Sequence, residues 1–388
     1  MPFYVRRGRI PAKRHVVFPK EDGGIHYEHL MGNLGFTGLQ SLVYTLRRPT
    51  TVQNSEVAWQ KPRLADTDPR LRMRHLRTHR LEMGGCHVRD RQLALFNDDL
   101  AISLSRPTGA EDYFYRNAHA DEMVYITRGG GLLESQFGPL EYREGDYLVI
   151  PRGILHRLVP ASGEQIYLVL ESRGHLRTPK RYRNPHGQLL EHSPFCERDI
   201  RVPDEPEPID RTGEFETIVR TGETCHRVIL DHHPLDTVGW DGYYYPWAFN
   251  IEDFEPIVGR LHQPPPVHQT FEGDGFVVCS FVPRLYDFHP EAVPAPYNHS
   301  NVMTDELLYY CKDSFMSRTG IELGSITLHP DGLPHGPQPG RTEASIGVEE
   351  TDELAVMVDT FKPLHVAADA TGCEDLDYGA SWLGEDPE

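Results

Sequence analysis

Two segments of this 388-residue chain are near copies: Gly145-Asp-Tyr-Leu-Val-Ile-Pro151-Arg-Gly153-Ile-Leu-His156 and Gly324-Ser-Ile-Thr-Leu-His-Pro330-Asp-Gly332-Leu-Pro-His335. Both fit Gly-x5-Pro-x-Gly-x2-His, and an Asp-Glu pair opens an apolar run ahead of each, at Asp121-Glu122 and Asp305-Glu306. The first glycine allows a tight turn into a strand. The Pro-x-Gly unit then stops that strand and reverses the chain, so the closing histidine can point inward from the neighbouring strand. A repeated histidine behind a repeated glutamate implies two copies of a domain built to hold a metal. We divide the chain into residues 1–200, an N-terminal copy with its connecting segment, and residues 201–388, the C-terminal copy and the better equipped of the two.

The rest of the sequence agrees with a mostly β chain. Short apolar runs such as Gln92–Phe96, Leu100–Leu104 and Phe276–Val282 alternate with turns rich in Gly and Pro, of which there are 34 and 32. Residues 173–208 are polar and Pro-rich and read as a surface connection anchored by Leu189, Leu190 and Phe195. The last twenty or so residues are acidic and read as peripheral. A formal charge of −19 excludes nucleic acid as a partner, because phosphates demand basic patches. Six cysteines without paired spacing fit the reduced thiols of a cytoplasmic protein. No run approaches the roughly 18 apolar residues of a membrane helix, so no membrane association is expected.

The repeated element resembles the second conserved motif of the cupin superfamily. The segments before it resemble the first motif, whose usual form is His-x-His-x(3–4)-Glu. That resemblance covers both halves and implies a bicupin: two double-stranded β-helix (jelly-roll) barrels. The C-terminal copy reads His299-Ser-Asn301-Val-Met-Thr-Asp305-Glu306 and ends with His335. Two imidazoles and one carboxylate form the set that leaves neighbouring positions open on Fe(II). Asp305 and Glu306 compete for the carboxylate role, since adjacent residues on a strand face opposite ways. The repeat aligns Glu306 with Glu122 and favours Glu306. The N-terminal copy reads Asn117-Ala-His119-Ala-Asp121-Glu122, then His156, with Tyr115 opposite His299. His119, Glu122 and His156 are the residues left for a second site, although the duplicated half of a bicupin is more often structural.

A sharper resemblance is to the homogentisate 1,2-dioxygenase family. It is carried by Val238-Gly-Trp240-Asp241-Gly242, Tyr245-Pro246, Pro296-Tyr297-Asn298-His299-Ser-Asn301-Val-Met303, Leu328-His329 and His335-Gly336-Pro337, and by the N-terminal Asp22-Gly23-Gly24 and Glu28-x-Leu-Met-Gly-x2-Gly35-Phe36 segments. The resemblance places iron ligands at His299, His335 and the carboxylate at 305 or 306; the family's usual spacing is one residue shorter and would select Asp305. It also implies an active-site histidine at His329. Asp241 stands where the family commonly has an acid/base histidine, and with an ordinary pKa near ~3.9 it is the weaker base.

The implied reaction is Fe(II)-dependent extradiol-type ring cleavage with O2. The substrate is homogentisate, giving maleylacetoacetate, or a closely related hydroquinone. Mn, Ni and Zn also suit such donors. Tyr243, Tyr244, Tyr245 and Trp247 read equally as an aromatic pocket or as core. Trimers or hexamers are implied for the assembly. The alternatives are another metal-dependent bicupin (a dioxygenase for a different hydroxylated aromatic, or an isomerase) and a non-catalytic ligand-binding bicupin.

Overall fold

A computed structural model describes residues 3–35, 37–263 and 265–383; Phe36 and the acidic end at 384–388 lie outside the described residues. The chain is mostly β and builds two barrels. In the N-terminal barrel an eight-stranded sheet centres on Asp121–Arg128, which pairs with Asp146–Ile150 and Ile166–Ser172. A seven-stranded sheet faces it and contains Gly130–Ser135, His156–Pro160 and Phe114–Asn117. The C-terminal barrel rests on a six-stranded sheet in which Asp305–Tyr310 lies between Ala355–Thr360 and Ile326–His329. Across from that sheet, the described residues form short pairings: Arg284–Leu285 with Glu350–Thr351, and a bridge between His299 and His335.

The eight- and six-stranded sheets pack on one another, and alternation along the strands decides what each side chain meets. Glu122 and Glu306 face the interiors of their own barrels. Tyr125 and Tyr309 face the opposite way and meet between the sheets, with ring centroids 6.3 Å apart. The Tyr309 hydroxyl lies 2.7 Å from Thr127 Oγ1, and the Tyr147 hydroxyl 2.8 Å from Ser280 Oγ. Strands packed on both faces need apolar residues at nearly every position, and all six residues of Asp305–Tyr310 are buried. One hydrophobic cluster runs through both sheets, from Leu104 and Tyr147 to Phe271, Leu307 and Val358.

Hydrogen bonding also interleaves the halves. Arg74–Leu76 adds the edge strand of the C-terminal sheet. Ile200–Arg201 and Trp247–Asn250 extend the N-terminal sheet, whose far edge pairs with His365–Val366. These pairings cross the division expected at residue 200/201. In the connecting segment, Phe195 is buried against Tyr182, Phe249 and Phe271. All six cysteines are free, and among the described residues no helix is long and apolar enough to cross a membrane.

Because the barrels share a core, they should unfold together. Phe271 is 1 % exposed and packs on Tyr147, Trp247 and Phe249. Phe271→Ala should lower stability by about 3–5 kcal/mol. Denaturant unfolding followed by fluorescence and by far-UV circular dichroism should give one coincident, shifted transition.

Candidate metal centre

The repeated turn is built the same way twice. Gly145 and Gly324 enter their strands at φ 85° and 82°, and Gly153 and Gly332 reverse the chain at φ 81° and 86°. No heavy atom crowds the place of a Cβ at Gly153 or Gly332, so the positive φ itself selects glycine there. Each turn is fastened by the aspartate of the Asp-Glu pair. Asp121 accepts from the backbone N–H of Arg152 at 2.9 Å and of Leu176 at 3.0 Å. Asp305 accepts from Asp331 at 2.8 Å and from Leu364 at 2.7 Å. Both oxygens of Asp305 are thereby committed to the fold on the face away from the barrel interior.

Glu306 faces inward and gathers three imidazoles. His299 Nε2 lies 3.5 Å from its Oε2, His335 Nε2 lies 3.6 Å from its Oε1, and His329 Nδ1 lies 2.8 Å from its Oε1. The backbone bridge between His299 and His335, with both N–H···O bonds at 2.8 Å, holds the two rings 4.3 Å apart. His299 Nδ1 donates to the Tyr297 carbonyl at 3.2 Å and His335 Nδ1 to the Leu333 carbonyl at 3.1 Å. A carbonyl can only accept, so each Nδ1 carries a proton and each neutral ring turns an Nε2 lone pair toward Glu306.

Two lone pairs and a carboxylate facing one another require a cation or protons between them. In the metal-free protein the pKa directions express this. Burial pushes the Glu306 carboxyl up, but the facing imidazoles of His299, His329 and His335 overcome it and hold the group well below the ordinary range. His299 is raised, chiefly by its bond to Glu306. His335 Nε2 is buried without a hydrogen-bond partner. The candidate ligand atoms of His299, Glu306 and His335 all lie within 4.8 Å of one another. Ligands about 2.1 Å from a shared ion stand no more than about 4.2 Å apart, and both histidine–glutamate separations fall inside that span. These residues fit a metal ion.

A cavity of about 180 Å³ opens beside His299 and Glu306, walled by Phe281, Leu308, Phe315 and Met357 and by polar groups including His268, Asn301 and Asp359. Burial, reinforced by the nearby Glu306 charge, pushes the Asp359 carboxyl up to about 7. Asp359 carries no signal in the sequence. Its place on Ala355–Thr360, across from Glu306, is a matter of sheet register that no local motif records.

Two residues singled out in the sequence do not line the cavity. His329 is fully buried, and both ring nitrogens are occupied: Nδ1 on Glu306 and Nε2 on the Tyr378 hydroxyl at 3.1 Å. It stands behind the carboxylate, with no nitrogen left for a substrate. Asp241 is not brought to the cavity. It lies on Thr237–Gly242 in a four-stranded sheet with Val5–Gly8 and Gln40–Thr45, where it accepts from the Tyr4 hydroxyl at 2.7 Å and pairs with Arg14 at 2.9 Å. The aromatic run beyond it is core: Tyr244, Tyr245 and Trp247 are buried.

The N-terminal barrel repeats part of this arrangement around a different centre. His156 Nδ1 donates to Ile154, as His335 does to Leu333, and His156 Nε2 lies 3.9 Å from Glu122 Oε2. The Tyr115 ring packs on His156 in place of a third donor. His119 turns outward to the Arg173 guanidinium at 3.1 Å, so His119, Glu122 and His156 are not assembled as a site. The buried Arg91 guanidinium supplies the positive charge, 3.0 Å from both Glu122 and Glu171. Arg91 lies 31 residues before Glu122. Nothing in the local sequence joins them.

The family model described as homogentisate 1,2-dioxygenase N-terminal matches residues 93–251. A protein of Saccharolobus solfataricus named "Putative dioxygenase SSO1533" is 42% identical over 386 residues, 98% of this chain and 99% of its own. The homogentisate 1,2-dioxygenase of Bradyrhizobium diazoefficiens is 28% identical over 292 residues, 71% of this chain. The chain belongs to the homogentisate 1,2-dioxygenase family. It is an enzyme of the dioxygenase type, and it spans 63% of the length of that Bradyrhizobium relative. Among solved structures, a mutant of Bacillus subtilis oxalate decarboxylase is 15% identical, with 80% of each chain covered and a TM-score of 0.33.

Two substitutions separate the adjacent carboxylates. Glu306→Gln should abolish metal uptake measured by elemental analysis. Asp305→Asn should retain metal but lose about 1.5–3 kcal/mol of stability, the scale of a hydrogen bond to a charged group. In the other barrel, Arg91→Leu strands two buried carboxylates and should cost about 3–5 kcal/mol in denaturant titration.

Proposed function

We propose that this chain is an Fe(II)-dependent extradiol-type dioxygenase that opens the ring of homogentisate, giving maleylacetoacetate, or of a closely related hydroquinone. The observation that carries the reading is the convergence of two tautomer-fixed histidines, His299 and His335, on Glu306 beside an apolar-walled cavity. Two imidazoles and a carboxylate are the donor set of open-sided non-haem iron sites. Bound there, Fe(II) would supply open positions and the redox chemistry through which O2 reacts with an aromatic ring.

The protein's own groups suit such a substrate. A dry cavity of about 150 Å³ holds benzene, so 180 Å³ accommodates one substituted ring. Phe281, Phe315 and Met316 offer the ring apolar surface, while Asn301, His268 and Asp359 offer its substituents hydrogen-bonding groups. The Asn301 amide nitrogen and His268 Nδ1 are buried without partners. Arg284, held by Glu353 at 2.9 Å, adds a fixed positive charge at the cavity wall.

The second reading is a ring-cleaving enzyme for a different hydroxylated aromatic; it rests on the sequence departure at Asp241 alone, since that residue lies away from the cavity. Where the family commonly has a histidine, this chain has a carboxylate tied to Tyr4 and Arg14. A cytoplasmic trimer or hexamer completes the proposal; its six unpaired cysteines accord with a reducing compartment.

Oxygen uptake by iron-reconstituted protein, measured across homogentisate, gentisate and simpler hydroquinones, tests both readings. At least one diol should be consumed with equimolar O2, and His335→Ala should reduce both bound iron and turnover to background. Stoichiometric iron with no diol consumed would contradict the proposed activity.

A further inference from the structure

The acidic C-terminal end, expected to be peripheral, reaches the metal centre. The short helix Tyr378–Trp382 buries Tyr378 to 4 % exposure and sets its hydroxyl 3.1 Å from His329 Nε2. His329 Nδ1 is 2.8 Å from Glu306 Oε1, and the two residues are cross-strand partners. The direction of this chain follows from its chemistry. An ionised carboxylate only accepts, so His329 donates from Nδ1. The neutral ring then offers a lone pair at Nε2, and the Tyr378 hydroxyl must donate to it.

We propose that Tyr378 is a positioning residue for the metal centre: through His329 it fixes which proton reaches Glu306 and which way that carboxylate faces. The proposal rests on His299, Glu306 and His335 being the metal site. The helix is fastened for such a role. Trp382 Nε1 donates to the Gly336 carbonyl at 3.3 Å, one residue beyond His335, and the Tyr378 and Trp382 rings meet edge-on at 5.2 Å. Gln338 Nε2 donates to Ser381 Oγ at 2.6 Å. His329 also stacks on His335, with centroids 4.8 Å apart and planes 22° apart, so one ring supports two of the three candidate ligands. Removing the tyrosine hydroxyl leaves Nε2 a buried acceptor without a donor. The imidazole can then move its proton to Nε2 and withdraw the bond from Glu306.

Groups that orient metal ligands typically change affinity by about 10–100-fold when removed. Tyr378→Phe should therefore weaken Co(II) binding to the full-length protein by about that factor and shift the visible spectrum of the cobalt form. In a His329→Ala background the same change should add nothing. ¹⁵N spectra of histidine-labelled, metal-free wild-type protein should show His329 protonated at Nδ1, a readout that needs no variant to fold. Wild-type affinity and spectrum in Tyr378→Phe, or a His329 proton at Nε2, would overturn the proposal while leaving the diol assay of the wild type intact. Wild-type protein that takes up no metal would overturn the metal-site reading and this proposal together.

Discussion

Adjacent side chains on a strand face opposite ways, and the Asp305-Glu306 pair depends on it. Asp305 points out of the barrel and ties down the backbone of Asp331 and Leu364; Glu306 points in and meets three imidazoles. The same division appears at Asp121 and Glu122, where the aspartate holds Arg152 and Leu176 and the glutamate faces the interior. One carboxylate of each pair makes the turn and the other makes the centre. That turn delivers the closing histidine with its Nδ1 proton committed to a carbonyl two residues earlier. Register therefore fixes both the position and the protonation of the donors.

The two barrels solve one electrostatic problem differently. A buried carboxylate is costly unless a positive charge meets it. In the N-terminal barrel Arg91 provides that charge permanently, bound to Glu122 and Glu171, with Arg220 on the outer side of Glu171. The C-terminal barrel brings imidazole lone pairs instead, a donor set that fits an exchangeable cation. The wall opposite its main sheet is built from short pairings and loops, and the cavity lies against them. A closed, internally neutralised barrel braces an open one through their shared core.

The fold was legible because turns and strands are local: the repeated glycines do adopt positive φ, and alternation does sort the faces. The candidate ligands His299, Glu306 and His335 were legible because the motif repeats and because its imperfect copy carries Tyr115 opposite His299. Partners brought together by tertiary register were not. Arg91, Asp359 and Tyr378 reach their carboxylates or imidazole from other elements, and sequence spacing does not encode those meetings. Asp241 was assigned from its place beside Trp240, yet its strand pairs with the N-terminal strands and delivers it to Tyr4 and Arg14. The C-terminal end reads as peripheral by its acidic composition, whereas the structure turns Tyr378 inward on a short 3-10 helix with Trp382 half-buried beside it.

One exchangeable cation is expected to complete the C-terminal barrel, whereas the Arg91 guanidinium already serves the N-terminal one. Anomalous diffraction at the iron edge, from crystals of protein produced under iron-replete conditions, tests it most directly. One peak per chain is expected, about 2.0–2.2 Å from His299 Nε2, His335 Nε2 and a Glu306 oxygen. No peak there, or a peak between Glu122 and His156, would contradict it.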